Sequence, residues 1–209
     1  MSNKRYLLAL NRIVGVGPKT VEIVLKRYPS LADFFALSLK EIEQLGLKPH
    51  IAEAIKNFDF SSINTDLAWE KKANHHLLTW DSEDYPALLK EIHDPPFVLY
   101  AQGELSALNQ TCLAIVGTRN PSPTGSENAY RFARELGQQL TLVSGLALGI
   151  DGQVHQGCLD AHGSTIAVLG TGIDVIYPTR HRPLAEKIQY KGLILSEFPL
   201  GSRPHAGHR

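Results

Sequence analysis

The chain has 209 residues, of which 43% are hydrophobic, 20% charged and 8% aromatic; such a mixture buries a core and excludes wholesale disorder. Lys and Arg together number 21 and Asp and Glu number 21, which excludes a polybasic protein held to nucleic acid by bulk charge and leaves room for local patches. No apolar run reaches the roughly 18 residues of a membrane span, and Asn11-Arg12 ends the run after Lys4-Arg5 too early for a signal peptide, so a cytoplasmic protein is expected. The two cysteines, Cys112 and Cys158, are far apart with no CxxC. Neither a disulfide framework nor a zinc site is legible, and both are expected as buried free thiols within apolar runs.

Charge divides the chain. Residues 1–60 carry nine Lys/Arg against six Asp/Glu (+3), residues 61–111 three against eight (−5), and residues 112–209 nine against seven (+2). The acidic stretch, punctuated by Pro86, Pro95-Pro96 and Gly103, reads as a connector with short lead-in strands. Domains are therefore expected at 1–60, with 61–111 as connector, and at 112–209.

Residues 6–58 read as helical. After Gly15-Val16-Gly17-Pro18, apolar side chains at Val21, Val24, Leu25 and Tyr28 follow the 0, 3, 4, 7 spacing of one buried face. The pattern recurs after Gly46-Leu47-Lys48-Pro49 with Ile51, Ala54, Ile55 and Phe58. A helix–hairpin–helix of this kind holds a nucleic-acid backbone through glycine-bared amides and a helix N-terminus. Gly15, Gly17 and Lys19 are thus candidates for a second DNA contact, the alternative being a plain αα-hairpin with glycine caps.

From Cys112 onward, strands and helices alternate. Strands are predicted at Cys112–Val116 (buried), Leu140–Val143, Thr165–Leu169 and Leu193–Leu195. The predicted helices are Ser126–Gln139, with Ala129, Phe132, Ala133 and Leu136 facing inward, Ile150–His162 and Pro183–Tyr190. Near-continuous apolar strands in such alternation predict a Rossmann-like, doubly wound parallel sheet, where ligands bind at strand carboxyl ends. There stand Gly117-Thr118-Arg119, Ser144-Gly145 leading to Gly149 and Asp151, and Gly170-Thr171-Gly172. Small residues, hydroxyls and an arginine in this arrangement suit phosphate without a metal, although tight βα turns also need glycines.

No G-x-G-x-x-G follows a strand, and G-x-x-x-x-G-K-[ST] is absent, so neither dinucleotide nor P-loop chemistry is supported. A Ser144/His155/Asp151 hydrolase lacks the G-x-S-x-G elbow, leaving a structural His155–Asp151 pair as the expectation. No catalytic residue, metal site or cofactor is assigned.

The blocks Ala114-Ile-Val-Gly-Thr-Arg119, Val143-Ser-Gly-Leu-Ala147 with Gly149-Ile-Asp151 and His155, Thr165–Gly170 with Gly172, Tyr177-Pro178, and Leu195-Ser-Glu-Phe-Pro199 resemble the DNA-processing protein A (DNA-protecting, Smf) family. The resemblance runs from about residue 76 to 204. It implies a non-enzymatic recombination mediator that binds single-stranded DNA, protects it during natural transformation, loads the RecA recombinase and works as a homodimer. It places Gly117, Thr118 and Arg119 on DNA phosphate, with Ser144, Gly145, Gly149, Gly170 and Gly172 lining the pocket. Where many members carry basic residues this chain has Ser164 and Thr179, and Arg180 and Arg182 lie close enough to replace the second charge. The family's Phe-Pro-x-Arg-Asn-Arg segment is not reached before Arg209, so an incomplete sheet is expected, with its last strand as an exposed edge. Two alternatives stand beside this reading. One is a phosphoribohydrolase-type enzyme acting on a nucleoside monophosphate, for which the nearest acid is Glu197. The other is an interaction protein that has lost DNA binding.

Overall fold

The computed structural model describes residues 3–205. The chain divides into one unit of Met1–Lys71 with Leu78–Leu99 and another of Lys72–Leu77 with Tyr100–Arg209.

In the first unit, helices α1 (Lys4–Arg12), α2 (Pro18–Arg27), α3 (Leu31–Ala36), α4 (Leu39–Glu43), α5 (Pro49–Lys56) and α6 (Asn64–Glu70) enclose Leu7, Leu8, Val21, Val24, Phe34 and Ile55. The internal repeat is visible in the backbone. Pro18 and Pro49 each occupy the first turn of a helix, where the missing N–H costs nothing. The glycine ahead of each, Gly15 at φ +89° and Gly46 at φ +79°, takes the left-handed turn. In the second copy the buried alanine is Ala52, while Ala54 faces solvent. The helix is only eight residues long, and its inward stripe rotates one step from the predicted face. The carboxylate of Asp66 is fully buried and accepts from Arg12 Nε and Nη2, both at 2.9 Å. Truncating Arg12 would take the bidentate cation away from this buried carboxylate, a change that typically costs about 3–5 kcal/mol.

The sheet comprises β1 (His75–Thr79), β2 (Val98–Gly103), β3 (Cys112–Ala114), β4 (Thr141–Ser144), β5 (Thr165–Leu169) and β6 (Leu193–Ser196) in the order β1-β2-β6-β5-β4-β3. Strands β3 to β6 are parallel, while β2 pairs with β6 antiparallel, Tyr100 opposite Ser196. Helices α7 (Pro123–Leu136), α8 (Ile150–Asp160) and α9 (Arg182–Lys191) form the crossovers. Because the parallel strands step in one direction, right-handed crossovers set these helices side by side on one face. Ala129 and Ala133 of α7 and Val154 and Cys158 of α8 form one buried cluster with Leu142 of β4. The result is a Rossmann-like α/β sheet, mostly parallel.

Three expectations change here. The last strand, β6, is internal and all four of its residues are buried, because β2 covers the side that the sequence left open. The edges are β1 and β3, and all three residues of β3 are exposed, so Cys112 is an exposed thiol while Cys158 is buried. Phe132 is 62% exposed on the outer side of α7, leaving Ala129 and Ala133 to make the buried contact. An apolar run identifies a strand, and its rank in the sheet depends on partners distant in sequence. Among the described residues, no helix is long and apolar enough to cross a membrane.

Candidate nucleic-acid interface

Three turns leave the carboxyl ends of β3, β4 and β5, and short backbone approaches hold them together. The first, Gly117–Asn120, folds over the start of α8. Ile150 N donates to Thr118 O at 3.2 Å, and a methyl group on Gly117 would stand 2.6 Å from Ile150 Cγ1. Gly149, at φ +81°, lets the second turn touch the first. A methyl there would lie 2.3 Å from Thr118 O and 2.7 Å from Arg119 O. The third turn ends in Thr179–His181, where His181 Nδ1 lies 2.9 Å from Leu146 O and the ring covers Gly152. All three turns therefore meet along Leu146–Gly152.

Within this cradle the candidate residues separate by what they touch. Ser144 is buried and its hydroxyl donates to Ile115 O at 2.7 Å, so its one proton is committed to the strand edge. Gly145 is packed by Asp151, whose Oδ2 would stand 2.8 Å from an added methyl. Gly172 is buried against residues 199–202, donating to Ser202 O at 2.9 Å. These three, with Gly149, build the cradle. Gly117, Thr118, Arg119, Gly170, Arg180 and Arg182 are exposed and face solvent. Thr118 Oγ1 accepts from Asn120 N at 3.2 Å and keeps its proton for a ligand.

The electrostatics follow from one carboxylate and three arginines. Asp151 is buried in the first turn of α8 and accepts from Ala147 N at 3.3 Å. Its charge already answers the positive end of the helix, so the attraction for a second anion must come from the arginines. Among the described residues, the guanidinium groups of Arg119, Arg180 and Arg182 have no carboxylate partner and no hydrogen bond. Guanidinium groups left unpaired beside bared amides suit phosphate oxygens.

His155 does not meet Asp151, and neither the hydrolase constellation nor the expected structural pair forms. Its Nδ1 lies 2.8 Å from Thr165 Oγ1, which donates to Leu142 O at 2.7 Å. Thr165 therefore accepts from Nδ1–H, leaving Nε2 as a buried lone pair without a partner. Burial, with a smaller contribution from His181, holds this imidazole down at about 3. Sequence reasoning missed the clasp from His181 to Leu146 and the tether from Asp151 to Ala147. The only signal for the first was a histidine between two arginines.

In the first unit, the Gly15–Lys19 turn is shaped by Gly15, whose added methyl would reach 3.1 Å from Ile51 Cδ1. Gly17 has open space around it. Lys19 is 63% exposed and lies 4.0 Å from an Asp94 carboxylate oxygen.

A Rossmann-like α/β protein, its strand-end turns gathered around unpaired arginines, is the class that fold and site define. The chain belongs to the DNA recombination-mediator protein A family, whose pattern it matches over residues 76–208. It is 40% identical to protein Smf of Synechocystis sp. over 219 residues, covering 99% of this chain and 54% of that protein. The X-ray structure of DNA processing protein A from Streptococcus pneumoniae superposes with a TM-score of 0.76 at 28% identity, covering all (100%) of this chain and 71% of the other. The Helicobacter pylori protein, solved for its single-stranded DNA binding mode, gives 0.57 at 32% identity over 64% of this chain and 60% of the other. The chain spans about half the length of the curated relatives it matches. The family's description is that of a recombination mediator, and this favours the mediator reading over the phosphoribohydrolase one.

Proposed function

We propose that this chain binds single-stranded DNA through its phosphates in the cradle of Gly117, Thr118, Arg119, Gly170, Arg180 and Arg182. Ser144, Gly145, Gly149 and Gly172 hold that cradle in shape. The observation that carries the reading is the convergence of two arginine-bearing loops on Leu146–Gly152, with all three guanidinium groups exposed and unpaired among the described residues. Such contacts read no sequence, as a protein that handles arbitrary strands requires. Gly15, Gly17 and Lys19 offer a weaker second contact, because Asp94 shares the charge of Lys19.

In the cell the bound strand is protected and presented to the RecA recombinase during natural transformation, with the protein acting as a cytoplasmic homodimer. Membership of a recombination-mediator family and likeness to a protein with a single-stranded DNA binding mode support this reading.

Fluorescence anisotropy with labelled oligo-dT over a salt series tests it. The logarithm of the affinity should fall by about 0.7 per phosphate contact for each tenfold rise in salt. Binding that ignores salt, or absence of binding at low salt, would overturn the proposal.

A further inference from the structure

Phosphate contacts alone leave the bases of a bound strand unsupported, and single-strand binders ordinarily add an aromatic face on which a base stacks. The turn after β5 carries such a face. Tyr177 is 55% exposed. Among the described residues its hydroxyl has no hydrogen-bond partner and its ring has no aromatic neighbour. The backbone beneath it is tied down on both sides. Thr171 Oγ1 donates to Val175 O at 2.7 Å and Val175 N to Gly172 O at 2.8 Å; beyond Tyr177, His181 is clasped to Leu146 O at 2.9 Å. Arg180 and Arg182 follow within five residues, both exposed. Tyr190 is more exposed, at 82%, but lies at the far end of α9, at the amino ends of the strands where none of the three turns reaches.

We infer that Tyr177 is a base-stacking platform: a nucleobase lies on its ring while the adjoining phosphates meet Arg180 and Arg182. The inference rests on the single-strand reading above and adds a base contact to a site otherwise described by phosphate alone. A flat ring accepts any base, so the contact adds affinity without sequence preference.

The test compares two ligands of equal length, oligo-dT and an abasic phosphodiester strand, each bound by the full chain, Tyr177→Ala and Tyr177→Phe. Circular dichroism confirms that the variants fold, as a half-exposed side chain permits. Tyr177→Ala should bind oligo-dT about 5- to 150-fold more weakly, with unchanged affinity for the abasic strand and an unchanged salt slope. Tyr177→Phe should restore oligo-dT binding. Equal losses on both ligands would make Tyr177 a positioning residue for the arginine loop and overturn the inference, as would no loss on either. Failure of the unaltered chain to bind either ligand at low salt would instead overturn the single-strand reading itself, and the platform with it.

Discussion

The α-carbon of Gly149 lies so close to Thr118 that a methyl group placed on it would stand 2.3 Å from the Thr118 carbonyl oxygen. This approach fastens the turn after β4 to the turn after β3, and it positions Arg119, whose own carbonyl would be 2.7 Å from the same methyl. Gly149 also sits at φ +81° and ψ −126°, a conformation that side-chain-bearing residues rarely adopt.

Gly149→Ala should therefore destabilise the fold through both strain and overlap, by about 2–6 kcal/mol in sum. The expected result is a lower urea midpoint with an unchanged slope. A midpoint equal to that of the unaltered chain would mean that the two turns are not fastened in this way.

Native thiol labelling should distinguish the two cysteines. Cys112 lies on the exposed edge strand, whereas Cys158 is on the buried face of α8, packed with Ala129 and Ala133 of α7. Burial pushes both thiols up, that of Cys158 to about 11. One equivalent of a thiol reagent should react promptly in mildly alkaline buffer, and Cys112→Ser should abolish that fast phase. Two fast equivalents, or none, would contradict the placement of these residues.

Local patterns carried most of the fold into the sequence. Strand–helix alternation from residue 140 onward gave β4, β5, α8 and α9 to within a few residues, because apolar period and turn chemistry are short-range properties. The antiparallel docking of β2 on β6 was illegible, since it joins segments some 95 residues apart whose apolar runs fit either a parallel or an antiparallel neighbour. The exposure of Cys112 and Leu113 follows from that same order, which leaves β3 at the rim, while Phe132 is exposed because α7 turns Ala129 and Ala133 inward instead. At the site, the sequence pointed to the turns at the strand carboxyl ends because ligand position in such sheets is set by topology. It did not show which small residues face a ligand. Ser144 turned out to serve Ile115, and Gly145 to make room for Asp151, through hydrogen bonds and close approaches that no residue spacing encodes.

The buried imidazole of His155 makes a pH prediction with a definite sign. Its pKa is held down to about 3 by burial, against about 6.5 in an unfolded chain. As pH falls below about 6.5 the unfolded state takes up a proton that the folded state refuses, so the contribution of this group is whole above that pH and is lost on approach to 3. The steepest loss from one such group is about 1.4 kcal/mol per pH unit. His155→Leu removes the titration, and urea midpoints between about pH 6 and pH 4 should then fall less steeply, by close to one proton. Parallel pH profiles for the two proteins would show that the imidazole charges freely in the folded state.

Arg119 offers the sharpest division between a binding role and a structural one. Its turn contains no acid before Glu127, and among the described residues neither Asp151 nor any other carboxylate pairs with it. Asp151 instead accepts from Ala147 N, on the inner side of the cradle. An exposed guanidinium without a partner contributes little to stability, so Arg119→Ala should shift the folding free energy by no more than about 0.5 kcal/mol. Were it instead holding a buried carboxylate, the same change would lower stability and leave the salt dependence of binding alone. On the phosphate-contact reading, Arg119→Ala weakens oligonucleotides of different sequence to a similar degree, by about 1.5–3 kcal/mol. It also makes the salt slope shallower by about 0.7, the share of one phosphate on a single strand. Arg180→Ala and Arg182→Ala should act in the same direction, and a double variant should lose roughly the sum where the two side chains meet different phosphates. Anisotropy titrations at three or more salt concentrations separate these outcomes. A stably folded Arg119→Ala protein with the affinity and salt slope of the unaltered chain would remove this residue from the interface and leave Arg180 and Arg182 as its cationic wall.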